Sequence, residues 1–305
     1  MSALSRFSGW LEEPVPAIRM EAIRIFTPLF VLGFMSSRFA HADEWIGSAG
    51  FRVPNLGQTD TRQPLFIPGL PDWAAWSVAV VLVASGVFVA LGVRTRVSAL
   101  VFAATLTFVA LSDRLSAFTV SKISPVLMIA VAVGPAGTRL GVDAWLERRR
   151  GGRRPKKKRR IGGLRFVQLF LPVFYSSSAV AKVMGDWLRT PHLLWTHLHD
   201  TYQTTASFWI ASVTPGWMYN LLQGSVLVFE LGAAIWLGLD RLRPYGFAFG
   251  MGMHFFIGIM FGPVVWFSFL MMTLLFGAFA PLSLLAPLER LAVRLEKRQG
   301  ATQTT

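Results

Sequence analysis

The chain has 305 residues, 53% hydrophobic and only 15% charged, with 30 Lys and Arg against 16 Asp and Glu for a net charge of +14. A soluble domain carries about 25% charged residues, so this composition excludes an ordinary soluble globule, and the lack of cysteine excludes disulfides, thiolate metal sites, iron–sulfur clusters and thiol redox chemistry. The charge excess does not read as a nucleic-acid surface: ten basic residues fall in one run at 148–160 (RRRGGRRPKKKRR), where Gly and Pro break any folded patch.

Residues 1–17 contain Glu12, Glu13, Pro14 and Pro16 and no long apolar run, so no cleavable signal peptide is expected. A membrane-crossing helix needs about 20 mostly apolar residues. In chain order, eight segments are predicted to cross: 18–39, 73–93, 97–112, 118–134, 163–183, 217–239, 245–261 and 265–285. The expected fold class is therefore all-α, a polytopic membrane bundle. A single transmembrane domain covers 1–289, with a basic loop at 146–162, and a polar tail follows at 290–305. Neither a repeat of 20–50 residues nor a duplication of halves is visible.

Cytoplasmic loops of membrane proteins are enriched in Lys and Arg. Eight crossings put Arg6, Arg19, Arg94, Arg96, the 148–160 run, Arg241, Arg243, Arg290, Arg294, Lys297 and Arg298 on one side. The opposite loops hold Arg38, Arg52, Arg62, Arg114 and Arg189. Both termini are thus expected in the cytoplasm, in a multi-pass protein of a cell membrane, the bacterial inner membrane by preference. Trp45, Trp73, Trp76, Trp187, Trp195, Trp209, Trp217 and Trp266 fall at or beyond the outer boundary, where indole rings favour the interface. The outer segments 41–72 and 185–216 are long. The second repeats apolar and aromatic residues at helical spacing, as a segment lying on or dipping into the membrane would, and together the two are placed to roof a cavity.

Ionisable side chains inside a membrane are costly and mark candidate functional sites. Here they are Arg24, Lys122, Lys182, Glu230 and His254. Lys182, in SSSAVAKVMGDWL, has two readings. Burial in an apolar pocket favours a neutral amine able to act as base or nucleophile, whereas Asp186, four residues on, offers a simple ion pair. Glu230 and His254 lie mid-span in consecutive segments; they are read either as a packing hydrogen bond or as a proton relay or quinone-head contact. His192, His197, His199 and Asp200 match no strong metal-ligand spacing, and no metal is expected. No Gly-rich phosphate loop, GxSxG or haem-attachment motif occurs, so hydrolase and nucleotide chemistry have no support.

Several stretches resemble one known family. RIFTPLFVLG followed by ADEWIGSAGFRVP, the aromatic-rich FVQLFLPVFYSSSAVAKVMGDWLRTPHLLW with its lysine and Asp-Trp pair, LGVDAWL, Glu230, and MHFFIGIMFGPVVWFSF around His254 are similar to the bacterial horizontally transferred transmembrane domain (HTTM) proteins, relatives of vitamin K-dependent gamma-carboxylase. The resemblance runs over nearly the whole chain. In the animal carboxylase the lysine matching Lys182 is the base that deprotonates reduced vitamin K. The quinol then reacts with oxygen to give a strong base that removes a proton from a glutamate side chain, carbon dioxide adds, and the quinone leaves as an epoxide.

The resemblance implies Lys182 as a candidate base, Glu230 and His254 as relay or supporting groups, and a membrane quinol such as menaquinol as cofactor. It further implies a peptide or protein substrate at the outer face and, if the chain is an enzyme, a carboxylase-like carbon–carbon lyase. Two departures stand out. SKISPVL, with Lys122 and Ser124, replaces a segment where the carboxylase has a histidine. The carboxylase also has a luminal domain that grips a propeptide, and with only twenty residues after the eighth segment no counterpart to it is expected here. Two other functions remain open: a non-enzymatic maturation, immunity or assembly factor binding a small peptide or protein, and, with less support, a small-solute transporter.

Overall fold

The computed structural model describes residues 3–50, 67, 69–112, 118–134, 136–151, 158–159, 161–190, 193–199 and 203–301. Arg52, Arg62, Arg114, His192, Asp200 and, from the basic run, residues 152–157 and 160 lie outside them. The chain is all-α and 80% helical. It resolves into two compact units, residues 1–165 with 285–305, and residues 166–284.

The first unit opens with α1 (Ala3–Glu12), a two-residue strand β1 (Val15–Pro16), α2 (Ile18–Phe39) and the short α3 (Ala42–Trp45). Then follow α4 (Asp72–Leu91), α5 (Thr95–Ser112), α6 (Thr119–Val133) and α7 (Val142–Arg149). Strand β2 (Lys158–Arg159) pairs antiparallel with β1, matching Val15 to Arg159. Helix α8 (Gly162–Met184) leaves this unit after Arg165. Helices α2, α4, α5 and α6 pack on one another over Met20, Ile23, Val31, Met35, Leu82, Phe102, Leu106 and Leu127, all fully buried. Their outward faces carry Val80, Val97, Leu100 and Val133, each at least half exposed. An apolar exterior of that kind suits lipid.

The second unit contains the rest of α8, then α9 (Leu193–Leu198), α10 (Thr205–Val213), α11 (Gly216–Leu231), α12 (Ala233–Gly238), α13 (Arg243–Met260), a 3₁₀ turn at Gly262–Val264 and α14 (Val265–Phe279). Helix α15 (Leu282–Ala301) begins here and continues into the first unit, so residues 290–301 are helical. Among the described residues, four helical segments are long and apolar enough to cross a membrane: Asp72–Leu91, Thr95–Ser112, Gly162–Met184 and Gly262–Phe279.

All eight predicted segments are helical, with two departures. The segment 217–239 is broken at Gly232, whose backbone leaves the helical basin at ψ 7° and separates α11 from α12. The last segment ends at Phe279 rather than 285, because Ala280 is extended (ψ 141°) before Pro281, as the residue before a proline prefers. Within 185–216, α9 and α10 are helical as the spacing predicts; Thr204 caps α10 by accepting from Ser207 N–H, and Ser207 reciprocates.

Two glycines fix close approaches in the first unit. Gly92 ends α4 in the left-handed region at φ 73°, and a Cβ there would lie 2.5 Å from Gly141 Cα. A Cβ on Gly163 would lie 2.0 Å from the Ala130 carbonyl oxygen, whereas Gly162 has open space. Gly163→Ala is therefore expected to destabilise by about 1–3 kcal/mol through forced backbone shifts. Gly162→Ala should change little. Thermal unfolding midpoints of the two variants, measured side by side in the same detergent, check this contrast.

Candidate functional site

Among the described residues of the second unit, the ionisable groups buried among the helices project from α8, α11 and α13. On α8, Tyr175, Ser178 and Lys182 stand three and four residues apart, so they share one face. That face turns toward Glu230 on α11 and His254 on α13. Lys182 Nζ lies 2.5 Å from both Glu230 carboxylate oxygens and donates to Ser178 Oγ at 3.0 Å. Ser178 Oγ in turn donates to Glu230 Oε1 at 3.3 Å, closing a three-membered ring of polar groups. The Glu230 side chain is 6% exposed and that of Lys182 is 23%, so the carboxylate is enclosed while the amine keeps an open side.

The Trp187 ring sits 5.3 Å from Lys182 Nζ, a cation–π distance. Gln223 of α11 makes two hydrogen bonds to Trp187, one of them to its indole, and a third to Leu194. Its carbonyl accepts from Trp187 Nε1, its Nε2 donates to the Trp187 carbonyl, and its Oε1 accepts from Leu194 N–H. The buried Gln223 therefore ties the end of α8 to α9 and α11 above the ammonium.

His254 is 2% exposed and its Nε2 lies 2.8 Å from the Tyr175 hydroxyl. Tyr175 is itself buried and packs edge-on against Phe229; Phe267 meets the imidazole at 77°. The second ring nitrogen, Nδ1, is buried without a hydrogen-bond partner. Whichever tautomer is present, one donor or acceptor on that ring is left to meet something else.

An apolar cavity of about 420 Å³ lies among α9, α10, α11 and α13. Its wall includes Val226, one helical turn before Glu230, and Met253, the neighbour of His254, with Tyr219, Phe249 and Phe256. Among the described residues, none that lines it is charged. Of the two outer segments expected to roof a cavity together, 185–216 contributes Leu194 and Leu198 of α9 and Ile210 of α10 to this wall, while residues 51–66 and 68 of the other lie outside the described residues.

The structure thus brings Lys182 and Glu230 together. Glu230 does not meet His254 directly; its hydrogen-bond partners are Lys182 and Ser178, and His254 is held through Tyr175. Asp186 sits exposed in the turn after α8, and the ion-pair partner of Lys182 is Glu230. Lys122 is exposed on α6. His197 is exposed, and His199 Nδ1 lies 2.8 Å from the Trp195 carbonyl. Among the described residues no three His, Asp or Glu side chains converge as metal ligands.

Tyr175, Ser178 and Gln223 are not among the residues the sequence singles out, and Trp187 figures there only as an interfacial indole and in the Asp-Trp pair. The first two had a signal: they stand seven and four residues before Lys182, on its helical face.

The first unit holds a separate polar cluster. The fully buried Arg24 of α2 donates from Nε to Glu21 at 2.9 Å and from Nη1 to the carbonyls of Val89 and Ala90 at 2.6 and 2.7 Å. The other oxygen of Glu21 accepts from the Arg139 backbone N–H at 3.0 Å. The Arg139 guanidinium, also fully buried, pairs with Glu289 at 2.6 Å and Glu296 at 3.1 Å, both on α15. Arg148 Nη1 caps the Arg139 carbonyl at 3.2 Å. Arg24 is therefore a structural cation, held by a carboxylate and by the open carbonyls at the end of α4, with its Nη2 buried and without a hydrogen-bond partner.

The family model of the HTTM domain matches residues 58–280, most of the chain and the whole of the second unit up to α14. No curated protein and no solved structure matches.

Proposed function

The chain belongs to the HTTM-domain family, and from that premise we propose that it is a multi-pass cell-membrane protein that carries out quinol-dependent, carboxylase-type chemistry toward the non-cytoplasmic face. In this reading eight segments cross and both termini are cytoplasmic. The distribution of Lys and Arg supports that topology. The observation that carries the chemistry is the enclosed Lys182–Glu230 pair with its open side at the amine.

The residues present suit a quinol. The described wall of the cavity is apolar and uncharged, and His254, next in sequence to the wall residue Met253, has a buried Nδ1 with no hydrogen-bond partner. Such a quinol, reacting with oxygen, supplies a base strong enough to take a proton from carbon, and carbon dioxide adds where the proton was lost. The protein's part is proton handling. The Lys182 ammonium passes a proton to the Glu230 carboxylate across their 2.5 Å contact, which leaves a neutral amine beside a neutral acid. With a quinol bound, this neutral amine would stand as the acceptor for a hydroxyl proton, which would return it to ammonium. Ser178 bridges both partners and keeps the amine aimed during the exchange. Tyr175 and His254, joined by their hydrogen bond, would orient the ligand's second polar group.

A second reading has its own support. An ion pair that also satisfies a serine is what a purely structural bundle would contain, and the apolar cavity then binds a small peptide or protein segment during maturation or assembly. One experiment separates the two. Short-chain menaquinol is added in oxygen to the purified full-length protein, wild type beside Lys182→Ala, and quinone epoxide is measured. Epoxide from wild type, reduced at least about a hundredfold in the variant, is the expected result. Absence of both quinol binding and epoxide would overturn the quinol reading.

A further inference from the structure

Helix α15 presents three distinct edges. Leu285, Glu289, Ala292 and Glu296 recur at helical spacing on the edge that docks, with Leu285 and Ala292 buried and both carboxylates on Arg139. Leu291 and Leu295, four residues apart, form a second edge and remain 48% and 37% exposed. Arg290 and Arg294, also four apart, form a third edge that is exposed. An apolar stripe beside a cationic stripe is the pattern of a helix lying in the plane of a membrane surface. The chain places α15 where such a surface is expected: only Ala280 and Pro281 separate it from the apolar segment Gly262–Phe279. Helix α1 of the same unit leaves Phe7 and Leu11, four apart, exposed in the same manner.

We propose that α15 is an in-plane docking helix for acidic phospholipid. Leu291 and Leu295 enter the acyl boundary while Arg290 and Arg294 hold headgroup phosphates. The occupant is fixed by charge: a protein of net charge +14 with an arginine pair next to a leucine pair complements an anionic leaflet. The Arg139 ion pairs set the roll of the helix, so that neither stripe turns inward. The assignment holds whether or not the second unit handles a quinol.

The chain has no cysteine, so a nitroxide on Leu291→Cys reports from one position. The labelled full-length protein is reconstituted in vesicles of phosphatidylcholine with and without phosphatidylglycerol. Accessibility is then measured to oxygen, which partitions into lipid, and to a water-soluble nickel chelate. The expected result is an oxygen-accessible, chelate-protected label that lies deeper with phosphatidylglycerol. In the same protein carrying Arg290→Gln and Arg294→Gln, the phosphatidylglycerol needed for half of that change should rise about tenfold. A chelate-accessible label would overturn the proposal. So would a label closed to both probes, which would mean a second copy or another protein covers the helix, or an unchanged phosphatidylglycerol dependence in the Gln variant.

Discussion

Arg139→Ala destabilises the first unit by about 3–5 kcal/mol, the cost of leaving carboxylates without their buried partner. The Arg139 guanidinium is fully buried and its two partners, Glu289 and Glu296, lie seven residues apart on α15. Without it, the two acids face each other across a vacated site, while Glu21 still accepts the residue-139 N–H. Arg139→Lys should recover only part of the loss, because a single ammonium cannot reproduce two directed guanidinium contacts. Equilibrium unfolding in mixed micelles gives the magnitude, and limited proteolysis shows whether α15 is released first.

Burial by itself lowers the Arg139 pKa, but Glu289 and Glu296 outweigh it and raise the value above that of an ordinary arginine. Stability from a cation of raised pKa is complete below the ordinary value and is lost only as pH climbs through the folded one. Raising the pH to about 10 should therefore leave the clamp intact. Loss of α15 docking at that pH would show that the pairing contributes little.

The clamp also marks where sequence reasoning stops. Apolar runs and prolines locate the helices well, since a run of about 20 apolar residues has few other fates. Glu21 and Arg24 are conspicuous because they interrupt such a run. Arg139 is not: it sits in GPAGTRLG, a turn-rich stretch in which an arginine is ordinarily solvated. Its burial follows from the fold bringing α15 back over that turn, with a separation of 150 residues to Glu289. No local pattern encodes such a contact.

The second unit shows the same limit in a milder form. Lys182 and Glu230 are visible singly, as charges in apolar helices. Their pairing depends on the packing of α8 and α11, and the nearer Asp186 looks equally eligible in sequence. Asp186 loses because α8 ends at Met184 and the turn carries it outward. The hydrogen bond of His254 to Tyr175 was legible only as a face: 175, 178 and 182 line up at helical period. The hitch at Gly232 left no periodic trace, because its neighbours are apolar on both sides.

A double-mutant cycle on the pair decides whether Lys182 and Glu230 exist for packing or for chemistry. Lys182→Met leaves an enclosed carboxylate with only Ser178 for company, and Glu230→Gln leaves an ammonium with a neutral partner. Each single change should cost stability, the first by about 3 kcal/mol and the second by less, since the amine keeps an open side. The combined variant should recover part of that loss, with a coupling of about 1–3 kcal/mol, because neither charge is then stranded. If the pair only holds helices together, the combined variant should also recover whatever activity the singles lose. If the amine and the carboxylate exchange a proton on behalf of a ligand, stability returns and activity does not. Unfolding free energy and epoxide formation, measured on the same four proteins, therefore move together in the first case and part company in the second. The proposed proton exchange requires them to part.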